Sequence, residues 1–411
     1  MINGPYRDGD DAAVVLEVRM RRSWSFRLRA DQPGLRRAAA LTVATIAVAG
    51  CSAVASGVTG DSPPRSSASS RPSPSPEASD LHKVGSARIM IVGDSITEGS
   101  SGDYTWQYWL YKHLRAEGVK ARMVGPYHWL FNNVTKREGS QSYANPHFQN
   151  ANDATWGMTL FREKNAIGAK VARYRPDYLL VLLGLDDIYW YGTSQPKMTA
   201  NLASFIKAAR RARPRIRFVF GLIPPDIHQH TNASFAASIA SYNSAIEATA
   251  KRLSTSDSPV AVARDGADIN VAADLWDGTH PNPNGEIKIA AAYADVLAAN
   301  FHVGDAYPTP FPVMPTGPRI RPRLNVTPLR KAGQAKLSWT LPPGANGFRI
   351  FQKDTSQQET KFKQLPFPLS PAQDPWTAGM LTPGDVYYFQ VQACKGSDCG
   401  AFSNVVSVTA P

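Results

Sequence analysis

The most constraining feature of the sequence is an alternation of short apolar runs and amphipathic segments between residues 87 and 300. The strongest run, residues 177–183 (DYLLVLL), is typical of a strand that is buried on both faces. Strands that alternate with helices predict a parallel sheet with helices on both faces. Since reactive groups collect at the carboxyl ends of parallel strands, we expect the functional residues directly after the predicted strands.

The pattern predicts five strands and five helices in this region. The strands are expected at residues 89–93, 121–124, 177–183, 217–223 and 259–263, and the helices at 105–114, 165–174, 199–213, 233–253 and 283–300.

The composition is that of a globular protein with room for two or three domains. The chain has 411 residues, of which 43% are hydrophobic and 19% are charged. Its net charge of +12 is spread over the sequence and no zinc-finger or RNA-binding motif accompanies it, so we expect no nucleic-acid partner.

The amino-terminal part of the sequence predicts export. Residues 38–49 are apolar and follow two arginines, but they are too few for a membrane-spanning helix of about 20 residues. Val48-Ala49-Gly50-Cys51 resembles a bacterial lipobox, which implies that Cys51 carries a lipid; plain secretion is the alternative. Met20 is the expected start because it gives a compact basic leader. The Ser/Pro-rich stretch that follows predicts a disordered tether.

Two polar segments could supply a hydroxyl nucleophile and its base. Ser95 follows the first predicted strand at a strand-to-helix turn, which exposes a hydroxyl group. Such a nucleophile needs a base within hydrogen-bond reach, and the base needs an orienting acceptor. His280 can be the base, and Asp277 can orient it; Asp274 is an alternative orienting acid.

These segments resemble the motif blocks of the SGNH (GDSL-type) hydrolase superfamily over about residues 86–301. The matching blocks are Gly93-Asp94-Ser95, Trp156-Gly157-Met158, Gly184-Leu185-Asp186-Asp187 and Asp277-Gly278-Thr279-His280. The resemblance implies a three-layer α/β/α, flavodoxin-like parallel sheet and an acyl-enzyme mechanism without metal or cofactor. It also implies Ser95 as nucleophile, His280 as base and Asp277 as its partner, with Ser95 and Gly157 giving backbone N–H groups to the oxyanion hole.

One position departs from the family pattern. Asp186 stands where the family has an oxyanion-hole asparagine, and an ionised carboxylate offers no hydrogen-bond donor. Three explanations are open: Asp186 stays protonated, another donor such as Asn152 or a nearby backbone N–H replaces it, or ester hydrolysis is slow or lost.

Several other residues have uncertain roles. His228 and His230 follow two prolines and could line the pocket, although a solvated loop is the simpler interpretation and zinc is not supported. Trp156, Tyr189 and Trp190 adjoin motif segments and could stack on a sugar ring.

The carboxy-terminal residues predict a separate all-β domain. Short alternating strands between Pro/Gly turns resemble a fibronectin type III sandwich, with Trp339 in its core and Tyr387 as the corner tyrosine that bonds back to the backbone. Cys394 and Cys399 could form a short-loop disulfide or stay free thiols. Spacer, polymer-binding and protein-contact roles are all open.

Together these features predict an extracytoplasmic serine esterase, anchored to the outer face of the cytoplasmic membrane through its lipid alone or else secreted. Expected substrates are acetyl esters of polysaccharides or short acyl or lipid esters, with possible cell-wall contact through the last domain. A catalytically weak or inactive surface binding protein is the alternative. The predicted regions are a signal and lipobox (1–51), a tether (52–85), the hydrolase domain (86–301), a Pro-rich linker (302–322) and the fibronectin type III-like domain (323–411).

Overall fold

The computed structural model describes residues 84–264, 266 and 268–411. The predicted signal, Cys51 and all but the last two residues of the predicted tether lie outside the described residues. Within the described part of the chain, no helix combines the length and the apolar character that crossing a membrane requires.

Eight strands belong to the first domain. Five of them form a parallel sheet in the order β2–β1–β6–β7–β8, and the short β5 pairs with the carboxyl end of β1. The strands are β1 (Ser86–Gly93), β2 (Lys120–Met123), β3 (Leu130–Asn132), β4 (Arg137–Ser140), β5 (Asp153–Ala154), β6 (Tyr178–Leu182), β7 (Arg217–Gly221) and β8 (Val260–Ala263).

Helices cover both faces of this sheet. They are α1 (Ser95–Glu98), α2 (Trp106–Ala116), α3 (Leu160–Tyr174), α4 (Leu185–Tyr189), α5 (Gln195–Ala212), α6 (Ala233–Leu253), α7 (Val271–Asp274) and α8 (Pro283–Phe301). Helix α2 packs on α8, where Trp106 stacks on Tyr293 at a centroid distance of 4.6 Å, while α3, α5 and α6 pack side by side. The predicted three-layer α/β/α fold is confirmed.

The sequence pattern placed the start of α3 five residues late. The helix begins at Leu160 because the side chain of Asp187, on another motif segment, accepts hydrogen bonds from the backbone N–H groups of Leu160 (2.7 Å) and Phe161 (3.1 Å). Because Asp187 is 27 residues from Leu160, the residues next to the start of α3 carry no sequence signal for this cap. The β3–β4 hairpin and the short helices α1, α4 and α7 were also not predicted.

The second domain consists of antiparallel strands, as predicted. One sheet has the order β13–β10–β9; the other has the order β12–β11–β14–β15, with β16 also paired to β14. The strands are β9 (Leu324–Pro328), β10 (Ala335–Trp339), β11 (Gly347–Asp354), β12 (Lys363–Gln364), β13 (Trp376–Ala378), β14 (Val386–Lys395), β15 (Asp398–Phe402) and β16 (Val406–Thr409).

Two aromatic residues of this domain lie where the fibronectin-like pattern places them. Trp339 is buried in the core, and the Tyr387 hydroxyl oxygen accepts a hydrogen bond from the Thr382 backbone N–H at 3.0 Å. The all-β class is confirmed, and the resemblance to fibronectin type III stays a prediction.

The segment between α8 and β9 lies against the first domain. Tyr307, Phe311 and Met314 pack on its hydrophobic core. Asn284, at the start of α8, accepts a hydrogen bond from the Met314 N–H at 2.7 Å and donates one to the Met314 carbonyl oxygen at 3.2 Å. This Pro-rich stretch therefore fastens the chain to the sheet domain before the second domain begins.

Candidate active site

Ser95 lies at the carboxyl end of the second strand of the parallel sheet. Strand β1 ends at Gly93, Asp94 caps the next helix by accepting a hydrogen bond from the Ile96 N–H (3.1 Å), and Ser95 is the first residue of α1. A serine at such a strand-to-helix turn presents its hydroxyl at the edge of the sheet. Ser95 itself is only 6% exposed.

His280 connects Ser95 to Asp277. His280 Nε2 lies 2.9 Å from Ser95 Oγ, and His280 Nδ1 lies 2.8 Å from Asp277 Oδ2. Asp277 Oδ1 accepts hydrogen bonds from the backbone N–H groups of His280 (2.8 Å) and Thr279 (3.1 Å). With Nδ1–H donating to Asp277, Nε2 is free to accept the Ser95 proton, which is the geometry of a nucleophile, a base and an orienting acid.

The electrostatics favour an ionised Asp277. Burial alone would raise its pKa, but the hydrogen bond and charge of His280 and the two backbone N–H donors outweigh burial and lower the pKa below its usual value. The alternative acid, Asp274, makes other contacts: its Oδ2 accepts from Lys288 Nζ (2.6 Å) and the Asn270 N–H (2.6 Å). Of the two predicted candidates, the structure therefore brings Asp277 and not Asp274 to His280.

The His280 ring rests on two tryptophans. It stacks on Trp156 at a centroid distance of 4.4 Å and an interplanar angle of 24°, and on Trp276 at 5.4 Å and 21°. The backbone N–H of Trp276 also donates a hydrogen bond to the His280 carbonyl oxygen at 3.0 Å. These contacts restrict rotation of the imidazole and so hold Nε2 towards Ser95.

Gly157 follows Trp156 on a loop held by a buried acid. The backbone N–H of Trp156 donates a hydrogen bond to Glu98 Oε2 at 2.5 Å. Burial, reinforced by the hydrogen bond and charge of Glu138, raises the pKa of Glu98 to about 10, so this carboxyl group is neutral near pH 7. Gly157 has a φ of +80°, and a Cβ atom there would meet no atom within 4 Å. Among the described residues its N–H has no hydrogen-bond acceptor, so this donor is free to serve a ligand.

Asp186 is the first-turn residue of α4, directly after β6. It is 7% exposed, and burial raises its pKa to about 6; a hydrogen bond from Trp190 and the charge of His280 oppose the rise, while the charge of Asp187 adds to it. Its Oδ2 atom has no hydrogen-bond partner among the described residues. A proton on Asp186 would turn this carboxyl group into a donor, as the missing asparagine would be.

Asn152 does not replace the missing donor. Its Nδ2 donates to the Asn150 carbonyl oxygen at 2.8 Å, and its Oδ1 accepts from the Ala154 N–H at 2.9 Å. Asn152 is also fully buried and does not line the cleft beside Ser95, so its amide group serves its own loop.

Ser95, Asp186 and His280 line a small cleft that lies beside a larger one. The small cleft, about 160 Å³, is lined by Ser95, Trp156, Leu185, Asp186, Tyr189, Trp190, Asp226, His228, Thr279 and His280. The larger one, about 970 Å³, shares Tyr189, Trp190 and His228 with it. Trp190 is 69% exposed at this shared wall.

Asp226 is a site residue that the sequence analysis missed. It is buried, lies 2.6 Å from His228 Nδ1 through Oδ1, and accepts a 2.6 Å hydrogen bond from Thr279 Oγ1 through Oδ2. It thereby joins the loop after β7 to the His280 loop. Its position directly after Pro224-Pro225, at the carboxyl end of a predicted strand, was the available signal. His228 lines the cleft, as considered from the sequence, whereas His230 is exposed.

We find no candidate metal-binding site in the part of the chain that the structure describes. No group of three or more His, Cys, Asp or Glu side chains is arranged there to hold an ion.

Comparison with known proteins gives one family match that spans all four motif segments. The model of the GDSL-like Lipase/Acylhydrolase family matches residues 91–286. A "Multidomain esterase" from Ruminococcus flavefaciens is 24% identical over 248 residues, which are 57% of this chain and 31% of the relative. The chain thus matches less than a third of that relative's length.

Solved structures of carbohydrate esterases also align with part of the chain. A carbohydrate esterase family 3 protein from Talaromyces cellulolyticus has 24% sequence identity and a TM-score of 0.43, covering 51% of this chain and 96% of its own. A family 3 carbohydrate esterase from Clostridium thermocellum has 21% identity and a TM-score of 0.42, covering 51% and 94%.

Proposed function

We propose that residues 91–286, which match the model of the GDSL-like Lipase/Acylhydrolase family, are an SGNH-type carboxylic ester hydrolase that removes small acyl groups from carbohydrate esters outside the cytoplasm. The observation that carries the proposal is the hydrogen-bonded chain Ser95–His280–Asp277 beside a small cleft. The name of the esterase relative agrees with this class of reaction.

The proposed reaction is acyl transfer through Ser95. His280 takes the Ser95 proton while Oγ attacks the ester carbonyl carbon, and Asp277 stabilises the resulting imidazolium. The N–H groups of Ser95 and Gly157, with protonated Asp186, stabilise the oxyanion. His280 then gives the proton to the leaving alcohol, and water hydrolyses the acyl-enzyme by the same path in reverse.

The two clefts support a small acyl group and a larger alcohol. About 160 Å³ beside Ser95 is well below the 300–1,000 Å³ of typical ligand pockets, so it suits an acyl group such as acetyl. The adjoining space of about 970 Å³ has the size for a sugar or oligosaccharide, and Tyr189 and Trp190 offer exposed aromatic surface there. Lipid esters with long acyl chains fit this arrangement less well.

A second candidate function is ligand binding without efficient catalysis. Asp186 lines the cleft beside Ser95, and in its ionised form it would repel the negative charge that develops on the substrate oxygen. The presence of this acid is the observation that favours binding without efficient catalysis.

Hydrolysis of p-nitrophenyl esters of increasing acyl length tests the proposed activity. We expect kcat/KM to be highest for acetate and to fall with chain length, because longer chains exceed the cleft. Ser95→Ala should lose activity by on the order of 10⁶-fold, as when a serine nucleophile is removed elsewhere. Folded protein with no activity above that variant would refute catalysis and favour the binding alternative.

Asp277 and Asp274 form a matched pair for the orienting role. Asp277→Asn should lower kcat by on the order of 10⁴-fold, because the imidazole loses the acceptor that sets its tautomer and stabilises its charge. Asp274→Asn should keep most of the activity because its partners are Lys288 and the Asn270 N–H. Equal losses in the two variants, measured at equal folded fractions by circular dichroism, would contradict the assignment.

The pH profile of Asp186→Asn tests whether protonated Asp186 is a donor. Since the pKa of Asp186 is raised to about 6, the donor form is present below that pH and is lost as pH rises through it. The ratio of variant to wild-type kcat/KM should therefore rise above pH 6, by up to about 10²–10³-fold. A large loss in the variant at every pH would show a different role for the carboxylate.

We also propose that the protein is a lipoprotein on the outer face of the cytoplasmic membrane. The apolar residues 38–49 before Cys51 support this, and the Cys394–Cys399 disulfide suits an oxidising compartment. Labelled palmitate should be incorporated in cells and lost in Cys51→Ala. Release of unlabelled protein into the medium by wild-type cells would instead indicate plain secretion.

A further inference from the structure

The β domain contacts both loops that carry the proposed catalytic groups. The described residues of the two domains belong to one compact unit. We propose that Lys395, at the end of β14, is a positioning residue that ties the loop after Ser95 to the loop of His280, so that the β domain is a working part of the active site. The inference rests on the proposed function for its kinetic effect, but its structural effect can be measured independently.

The first contact is a buried ion pair on the nucleophile side. Lys395 Nζ bonds to Asp103 Oδ1, and the two side chains are only 7% and 10% exposed. Asp103 Oδ2 accepts from the Ser100 N–H (2.8 Å) and hydroxyl group (3.0 Å), so the pair fixes the turn that follows α1. Helix α1 begins with Ser95, which places the pair one short helix away from the nucleophile.

The second contact is on the base side. Lys395 Nζ lies 5.0 Å from the centroid of the Trp276 ring, within the range of a cation–π interaction. The Trp276 ring stacks on His280, and the backbone N–H of Trp276 donates to the His280 carbonyl oxygen. One ammonium group therefore touches both loops, and no residue intervenes between Lys395 and the Trp276 ring that supports the imidazole.

The backbone around Lys395 strengthens this contact. The Ser397 N–H donates to the Trp276 carbonyl oxygen at 2.9 Å. A Cβ atom on Gly396 would lie 1.9 Å from that same oxygen, so only glycine allows the hairpin to approach so closely. The disulfide between Cys394 and Cys399 closes this hairpin, which keeps its turn in one shape.

A further hydrogen bond extends the contact to the end of the His280 loop. Asn282 Nδ2 donates to Asp398 Oδ2 at 3.0 Å, from the residue that caps α8. The His280 loop is thus held at Trp276 and at Asn282, on both sides of His280 itself. The β domain therefore adds contacts at both ends of the loop that carries the imidazole.

Lys395 also balances a group of buried acids. Glu286 is 2% exposed, and burial together with the charge of Asp103 raises its pKa well above the usual value, while the charge of Lys395 lowers it. Without Lys395, Asp103 would be a buried carboxylate with no cationic partner, which drives a local rearrangement towards solvent. The turn after α1 would move with it.

Steady-state kinetics of Lys395→Met test the proposal. Displacing catalytic groups by about 1 Å costs up to about 10²-fold in rate, so we expect kcat per active site to fall roughly 10- to 100-fold. KM for p-nitrophenyl acetate should stay within about threefold, because Lys395 does not line the cleft. Active sites are counted by the p-nitrophenol burst, which removes any contribution from unfolded protein.

Lys353→Met is the matched control. Lys353 lies in the same domain and also sits over an aromatic ring, Tyr388, at 4.7 Å. It should leave kcat and KM unchanged. If Lys395→Met keeps the wild-type kcat per active site, the proposal is overturned.

Hydrogen exchange separates this inference from the proposed activity. Amides of residues 276–282 should exchange faster in Lys395→Met than in wild-type or Lys353→Met protein. If the variant exchanges faster but the wild-type protein hydrolyses no ester, the positioning role of Lys395 is retained and the esterase proposal is rejected. If exchange is unchanged and the wild-type protein is an active esterase, the positioning role is rejected. Should the single variant fail to fold, Asp103→Asn/Lys395→Met removes both charges and must show the same faster exchange and lower kcat.

Discussion

The parallel pairing of β1 with β6 is the constraint on which the site depends. Gly93 lies opposite Leu182 in this register, so the chain leaves both strands at the same edge of the sheet. Ser95 follows one strand end and Asp186 the other, and both line one cleft. Because both strands are packed against helices on both faces, a shift of register would disrupt that close packing, so hydrophobic packing fixes the edge that holds the nucleophile.

That edge concentrates carboxyl groups in a region with little water. Burial raises the pKa values of Asp94, Glu98 and Asp186, and the nearby charges of other acids raise them further. Several charged carboxylates buried close together would be unfavourable, so protonation of these groups lowers the free energy of the folded state. Asp277 is the exception, since His280 and two backbone N–H groups lower its pKa. The site therefore separates an ionised acid beside the base from acids near the nucleophile whose protonated forms are favoured, which for Asp186 applies below about pH 6.

Local patterns were sufficient for the five main strands of the parallel sheet, the long helices and the four motif segments, because each is encoded in consecutive residues. Ser95, His280 and Asp277 could be proposed on that basis, and the structure places them within hydrogen-bond distance. The start of α3 was missed because Asp187 caps it from a distant motif. The contact of Lys395 with Trp276 could not be foreseen, since a lysine at the end of a strand carries no sign of its partner.

The ion pair between Asp103 and Lys395 joins residues 292 positions apart. Closing so long a loop adds little to the equilibrium cost, since entropy grows only with the logarithm of length, but non-local contacts of this kind form slowly. The sheet that carries Ser95 depends on contacts that are nearer in sequence. If Lys395 positions the His280 loop as proposed, we expect the geometry around His280 to be completed only after β14 and its hairpin have formed, so that activity would report on the integrity of both domains.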